Sequence, residues 1–229
     1  MKFPISKLNA IIRKINADKG IFSIWGDFGV GKTTFAIQTA LNTVKFNEKV
    51  IYIYSKPNLP YEKLLSLSKG SEEVLDRIVI IKPLNFKDLN NIIFNLEFLI
   101  LKKEKEIDSP YKLIIIDSLT DLYRIALNRD KKETNYNLNY QLHQMLANLS
   151  YLNELYNVEI LIVNETTKVR INDHFIDKQS GGQVMDYWIS TDIKIERTEN
   201  VSNRHIFLTT HQENSLVKFE SIITKKGFN

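Results

Sequence analysis

The stretch GDFGVGKT, residues 26 to 33, lies between an apolar run, GIFSIW at 20–25, and the helical pattern TTFAIQTALNTVKF at 33–46. It satisfies the pattern G-x-x-x-x-G-K-[ST], with the preceding strand and following helix that this pattern requires. Glycines let backbone N–H groups turn inward around an anion, and the helix N-terminus adds a positive dipole. The stretch therefore predicts a phosphate-binding loop between a strand and a helix.

The loop predicts a nucleotide site in which Lys32 gives a point charge to the β- and γ-phosphates and the Thr33 hydroxyl ligates Mg²⁺. No N-K-x-D motif of the guanine-reading kind occurs, so ATP is expected rather than GTP. The predicted nucleotide-binding residues are Gly26, Asp27, Phe28, Gly29, Val30, Gly31, Lys32, Thr33 and Thr34.

Outward from the loop, apolar runs alternate with helical patterns. Further strands are predicted at 49–55, 77–82, 111–117 and 158–164. Helices are predicted at 5–16, 60–69, 86–105, 119–127 and 137–156. Such alternation predicts an α/β fold whose parallel sheet is covered on both faces. After residue 165 we expect a polar loop, then antiparallel strands at 189–196, 205–210 and 216–223.

Composition favours one domain. The 229 residues are 43% hydrophobic and 25% charged, which is typical of a soluble globular protein. No apolar run approaches the ~20 residues of a membrane span, so a cytoplasmic location is expected. The absence of cysteine excludes disulfides and thiolate metal sites. We expect a lead-in helix at 1–19, a phosphate-loop core at 20–165, and a loop with a β extension at 166–229.

The apolar strand KLIIID ends in Asp117. A phosphate loop calls for an acidic residue at the end of a neighbouring strand, where it holds Mg²⁺ through water. Aspartate is also a good helix N-cap, so Asp117 could instead cap the helix at 119–127. Given the phosphate loop, the magnesium role is favoured.

Several stretches occur in an order and spacing that resemble the RecA-type recombinase core, most closely the archaeal RadA/RadB group. They are IWGDFGVGKTTFAIQTAL, VIYIYS through EEVLDRIVIIKPLNF, LIIIDSLTDLYR, VEILIVNET and SGGQVMDYW. The resemblance implies a RecA-like domain with C-terminal antiparallel strands, ATP and Mg²⁺ as cofactors, and a role in homologous recombination and DNA repair.

The phosphate loop begins at residue 26, which leaves no room for the N-terminal DNA-binding domain and polymerisation segment of full recombinases. We therefore expect a RadB-like paralogue that acts as an accessory or mediator. Its expected partner is a RecA/RadA-family recombinase or another paralogue, and an oligomer remains possible.

Lys56 departs from the family pattern. There the second strand typically ends in Asp-Thr-Glu, and the glutamate polarises the attacking water; the matching residues here are Tyr54, Ser55 and Lys56. A lysine, with a pKa of about 10.4, is protonated at neutral pH and cannot act as that base. Lys56 could contact a γ-phosphate, or it could be a solvated lysine at a strand end.

Glu165 stands where the family usually has a glutamine that senses the γ-phosphate. An acid there repels ATP unless it is paired. Lys56 and Glu165 could form such a pair across adjacent strand tips, or Glu165 could take over the water-orienting role. We expect a protein that binds ATP and hydrolyses it slowly or not at all. The candidate catalytic residues are Lys32, Thr33, Asp117, Glu165 and Lys56.

The resemblance also implies two DNA-contacting loops, at 128–139 and 166–181. Their candidate contacts are Arg129, Lys131, Lys132, Lys168, Arg170 and Lys178. Cations that meet phosphates are typical of single-strand binding, although charged loops are often only solvated. His211 is a further candidate, at a place where the family often has an interface histidine.

Two rival functions remain. One is a KaiC-like signalling or scaffold module that binds ATP and has no DNA role. The other is a small-molecule kinase, which is less favoured because no lid with clustered arginines is visible.

Overall fold

The computed structural model describes residues 1–15, 19–104, 110–128, 130–171, 173–210 and 216–229, and the candidates Arg129 and His211 lie outside these ranges. The helices are α1 (Ser6–Lys14), α2 (Lys32–Val44), α3 (Tyr61–Ser68), α4 (Glu72–Leu75), α5 (Phe86–Glu104), α6 (Thr120–Ala126), α7 (Lys132–Tyr156) and α8 (Gly182–Trp188). The strands are β1 (Ile21–Gly26), β2 (Lys49–Tyr54), β3 (Ile78–Ile81), β4 (Tyr111–Asp117), β5 (Glu159–Ile171), β6 (His174–Gln179), β7 (Ile189–Arg197), β8 (Asn203–Thr210), β9 (Leu216–Thr224) and β10 (Gly227–Phe228).

The strands form one continuous sheet in the order β10-β9-β8-β7-β1-β5-β4-β2-β3, with β6 paired to β5 outside this path. The parallel pairs are β7–β1, β1–β5, β5–β4, β4–β2 and β2–β3. The pairs β7–β8, β8–β9 and β9–β10 are antiparallel. The predicted fold class, α/β with a mainly parallel sheet and antiparallel C-terminal strands, is confirmed.

Apolar side chains bury both faces of the sheet. Along β4, Leu113 and Ile115 point into the core shared with α2, while Ile114 and Ile116 point into the core shared with α5 and α7. Successive strand residues face opposite sides, so a strand covered on both sides must be apolar throughout. This is why the central strands read as uninterrupted apolar runs. Their carboxyl ends lie at the same edge of the sheet because they pair in parallel.

The predicted loop at 166–181 is wrong for most of its length. Strand β5 continues to Ile171 and pairs with β6, so that these residues form a β-hairpin that extends beyond the sheet. Val169 lies opposite Ile176, and both side chains are exposed. Val169 and Ile171 alternate with Lys168 and Arg170, but this run is too short, among polar and charged residues, to distinguish an exposed strand from a loop.

The predicted loop at 128–139 is also wrong from Lys132 onward, because α7 begins there. Residues 132–134 and 136–137 are exposed, so the first turns of the helix carry no apolar stripe. Helix α8, at 182–188, was not predicted either. None of the helices in the described part of the chain is long and apolar enough to cross a membrane.

Candidate nucleotide-binding site

The phosphate loop joins β1 to α2 and has the backbone that its sequence predicts. Gly26, Gly29 and Gly31 have φ values of 149°, 78° and 111°, which side chains rarely permit. A Cβ atom on Gly26 would lie 2.2 Å from the Ile195 carbonyl oxygen. Glycine at these positions therefore keeps the loop close to the sheet and leaves its concave side for an anion at the start of α2.

Arginines from the C-terminal strands hold the loop from behind. Arg204 is buried and donates from Nε to the Val30 carbonyl at 2.9 Å, and Arg197 donates from Nη2 to the Phe28 carbonyl at 2.9 Å. The two arginines lie opposite each other in the β7–β8 pair. Neither arginine was predicted as a site residue, because two arginines seven positions apart around a turn do not form a recognised motif.

The C-terminal residues also pack on the loop and on α2. The Phe228 backbone N–H donates to Gln38 Oε1 at 2.8 Å, and Gln38 Nε2 donates to the Phe228 carbonyl at 3.2 Å. The Phe228 ring contacts Phe35 with 5.4 Å between ring centroids. Strand β10 thus fixes the helix whose N-terminus faces the proposed phosphates.

Lys32 is buried at the start of α2. Its Nζ donates to the Gly26 and Asp27 carbonyls at 2.8 and 2.7 Å and to Glu165 Oε2 at 2.7 Å. Burial lowers the pKa of Lys32, and the hydrogen bond that Lys32 donates to Glu165 opposes that effect. Lys32 and Glu165 are thus directly paired, which the sequence analysis did not foresee.

Asp117 ends β4 and has no exposed surface. The Tyr52 hydroxyl donates to Asp117 Oδ2 at 3.1 Å, and Lys56 Nζ lies 3.0 Å from Oδ1. Burial, followed by the charge of Asp117, raises the pKa of Tyr52 well above its ordinary value. Tyr52 and Lys56, both from the β2 side, therefore contact the two carboxylate oxygens of Asp117. The Lys56 contact is an ion pair, and Oδ1 accepts no hydrogen bond from the described residues. The sequence analysis missed Tyr52, whose place in an apolar strand suggests only core packing.

Lys56 forms the predicted ion pair with Glu165, with Nζ 3.3 Å from Oε1. The expectation that their strands are adjacent is wrong, because β4 lies between β2 and β5 and brings Asp117 into the same cluster. Burial lowers the pKa of Lys56, but the charges of Asp117 and Glu165 outweigh it, so this pKa lies above its ordinary value. Lys56 is accordingly an ion-paired lysine and not a solvated one.

Ser55 fixes the segment that carries Lys56. Its backbone N–H donates to the Asp117 carbonyl at 2.9 Å. Its hydroxyl donates to the Ser118 carbonyl at 2.6 Å and accepts from the Ser118 N–H at 2.8 Å. These bonds tie the residues after β2 to the end of β4 and so set the position of the lysine.

The cluster offers groups for a triphosphate and contains the two predicted metal ligands. The loop offers a glycine cradle, a helix N-terminus and Lys32. The predicted metal ligands are Thr33, which is partly buried in the first turn of α2, and Asp117, whose oxygens already contact Tyr52 and Lys56. Within the described ranges, no group of three or more His, Asp or Glu side chains could hold a metal ion. The magnesium role of Thr33 and Asp117 stays a prediction.

An open cleft of about 680 Å³ adjoins the cluster. Asp27, Lys56 and Glu165 line it together with Asp121 and Arg124 of α6. The sequence analysis did not single out these two α6 residues, although LIIIDSLTDLYR contains both. The cleft gives a ligand at the phosphate loop open access to Lys56 and Glu165.

The candidate DNA-contacting residues lie apart from this cluster. Lys168 and Arg170 are exposed on β5, and Lys178 is partly buried on β6. Arg170 is paired with Asp173 at 2.5 Å, and Lys178 lies 3.8 Å from Asp186.

Lys131 and Lys132 lie at the start of α7, and both are exposed. Lys132 and Tyr136 line a second cleft, of about 640 Å³, with Thr167, Gly181 and Gln183 from the base of the hairpin and α8. The structure thus brings the start of α7 and the base of the hairpin to one groove.

Comparison with known proteins identifies the family. A family model described as Rad51 matches residues 6–223. The chain is 32% identical over 206 residues to the DNA repair and recombination protein RadB of Methanococcus maripaludis strain C5, covering 90% of this chain and 86% of that protein. The protein of the same name from Methanosphaera stadtmanae is 32% identical over 211 residues, with the same coverage. The RadB protein of Methanocaldococcus jannaschii is 30% identical over 184 residues, 80% of this chain and 81% of that protein. These matches confirm the resemblance to the recombinase group, and the chain belongs to the Rad51 family.

Proposed function

We propose that this chain is an ATP-binding accessory protein of homologous recombination and DNA repair, with slow or absent ATP hydrolysis. Its family membership and relatives named as DNA repair and recombination proteins support the recombination role over a KaiC-like signalling module. A RecA/RadA-family recombinase or another paralogue is the proposed partner, and the archaeal cytoplasm is the proposed location. The continuous sheet supports a single domain over residues 1–229.

The arrangement of Lys32, Lys56, Asp117 and Glu165 carries the proposal for slow hydrolysis. A general base needs a free acceptor atom within hydrogen-bond reach of the attacking water. Glu165 gives one oxygen to Lys32 and the other to Lys56, at 2.7 and 3.3 Å. Asp117 is buried, with Oδ2 hydrogen-bonded to Tyr52 and Oδ1 ion-paired with Lys56, and Lys56 itself is a cation. Among these four side chains, none offers an unpaired carboxylate to a water molecule.

ATP turnover by matched variants tests this proposal. We expect slow turnover in the wild type, and a rise of at least about tenfold in Lys56→Glu, since a positioned base contributes about 10²–10⁴-fold. A Lys56→Glu/Glu165→Gln double variant avoids placing three carboxylates together and should show the same rise. Lys32→Ala should abolish nucleotide binding. A wild-type rate as high as that of an active recombinase would contradict the proposal.

Glu165→Gln separates the two roles considered for Glu165. If Glu165 orients the attacking water, the residual turnover falls by at least about a hundredfold in this variant. If Glu165 only pairs with the two lysines, turnover does not fall. The structure favours the second result, because both carboxylate oxygens already accept from lysines.

A further inference from the structure

We propose that the Lys56 ammonium, held by Asp117, occupies the place that a divalent cation takes in other phosphate-loop sites, so that this chain binds ATP without requiring Mg²⁺. The inference rests on the proposed function, because it concerns the same nucleotide site. It specifies that the ligand is a triphosphate with no bound metal ion.

Asp117 already contacts Lys56 and Tyr52. In phosphate-loop sites the strand-end carboxylate helps to hold a cation that bridges the β- and γ-phosphate oxygens. Here that carboxylate is fully buried, with Lys56 Nζ 3.0 Å from Oδ1 and the Tyr52 hydroxyl 3.1 Å from Oδ2. A hydrated divalent ion would have to displace the ammonium from Asp117, leaving it with the longer Glu165 contact, and would place a second cation beside it. That arrangement is unfavourable on both counts.

Lys56 also extends toward Glu165. Its ammonium lies 3.3 Å from Glu165 Oε1, and the other oxygen of the same carboxylate accepts from Lys32 at 2.7 Å. Lys32 is the lysine that a phosphate loop directs to the β- and γ-phosphates. The Glu165 carboxylate thus stands between two cations, as a terminal phosphate would. Phosphate oxygens that replace this carboxylate would meet Lys32 and Lys56 together.

The charge of the cluster also favours a metal-free triphosphate as the ligand. Lys32 and Lys56 balance Asp117 and Glu165, so the four side chains are neutral together. Of the two carboxylates, Asp117 is fully buried behind Lys56, whereas Glu165 is 18% exposed and lines the open cleft. A triphosphate can therefore displace Glu165 without disturbing Asp117. Lys56 then adds one positive charge beside the charge of Lys32, so that two ammonium groups face the phosphates.

Calorimetric titration of the whole chain with a nonhydrolysable ATP analogue tests the proposal directly. We expect the wild-type Kd in EDTA to lie within about threefold of the Kd in MgCl₂. A larger loss of affinity in EDTA would overturn the inference and leave the ATP-binding accessory role standing. Absence of nucleotide binding in both buffers would overturn the accessory role as well, so the two failures are distinguishable.

Variants identify Lys56 as the cause. Lys56→Met keeps the aliphatic stem, and we expect it to lose at least about tenfold in affinity in EDTA and to recover part of that in MgCl₂. Lys112→Met is the matched control, since Lys112 lies at the other end of β4 and bonds the Asn157 carbonyl. It should behave as the wild type in both buffers. Equal metal dependence in Lys56→Met and the wild type would refute the assignment. Should Lys56→Met not fold, the wild-type comparison decides alone.

Discussion

At the scale of single residues, Glu165 connects the two lysines of the site. Each of its carboxylate oxygens accepts from a different lysine, and one of these is the lysine of the phosphate loop. A carboxylate in this position competes with phosphate oxygens for the same two cations. We therefore expect Glu165 to limit how tightly the site binds a triphosphate.

Substitution of Glu165 measures this competition. We expect Glu165→Gln to bind a nonhydrolysable ATP analogue about tenfold more tightly than the wild type, equivalent to about 1.4 kcal/mol. Titration calorimetry measures the change, and Glu154→Gln, at an exposed position of α7, controls for the change in net charge. An unchanged or weaker affinity in Glu165→Gln would show that the carboxylate does not compete with the ligand.

The sequence predicted the site residues that belong to a recognisable motif or to the family pattern. The glycines, Lys32 and Asp117 follow from the phosphate-loop pattern and a strand-end acid, and Lys56 and Glu165 from the family resemblance. Tyr52, Ser55 and Arg204 could not be predicted in this way. Their roles depend on strand order and on side-chain contacts between distant segments, which a single sequence does not display.

At the scale of elements, the phosphate loop depends on the strands that pack behind it. A Cβ atom on Gly31 would lie 2.5 Å from the Ile223 side chain and 3.0 Å from the Phe228 ring. Gly70, at the end of α3, also has a positive φ, 72°, but a Cβ atom there would meet no atom within 4 Å. Both glycines have a positive φ, but Gly31 is closely packed by neighbouring side chains and Gly70 is not.

Alanine at these two glycines separates strain from packing. Gly70→Ala should lower the free energy of unfolding by about 1 to 2 kcal/mol, which is the cost of a left-handed conformation alone. Gly31→Ala should lower it further and should also weaken nucleotide binding, because β9 and β10 must move. Urea denaturation with parallel nucleotide titration measures both effects. Equal losses in the two variants would mean that packing on Gly31 contributes nothing.

The sequence predicted most elements that bury a long apolar face and missed the exposed ones, as well as the short helix α8, whose Val184 and Met185 are buried. The strands β1, β2 and β4 and the helix α5 carry strong apolar patterns and were placed within two residues of their observed bounds. The start of α7 and the β5–β6 hairpin are exposed, so no burial selects an apolar period there. These two regions are also the ones that the resemblance assigned to DNA contact.

At the scale of the whole molecule, the nucleotide cluster and the hairpin are connected through β5. The strand passes Glu165 and continues directly into the hairpin, and the Ser180 N–H bonds the Glu165 carbonyl at 3.0 Å. Arg170 lies opposite Phe175, whose side chain is 70% exposed. A cation beside an exposed aromatic ring is suited to a phosphate and a stacked base.

Retention of single-stranded DNA tests this part of the proposal. We expect the wild type to bind at ~50 mM salt and the Lys168→Glu/Arg170→Glu variant to bind more weakly, with a salt dependence reduced by about 1.4 in the log–log slope. The control is Lys45→Glu/Lys69→Glu, which changes net charge equally at exposed positions outside the hairpin. If the wild type does not bind at this salt concentration, direct DNA contact is wrong.

The contact between β10 and α2 also governs when the site can form during synthesis. Gln38 and Phe228 are separated by 190 positions in the sequence, yet they hydrogen-bond to each other beside the phosphate loop. A ribosome adds about 5–20 residues per second, so Phe228 follows Gln38 by about 10 to 40 s. During that interval the nascent chain has the phosphate-loop sequence without the strands that support it. The site is therefore complete only after β10, 190 positions beyond Gln38, has been synthesised.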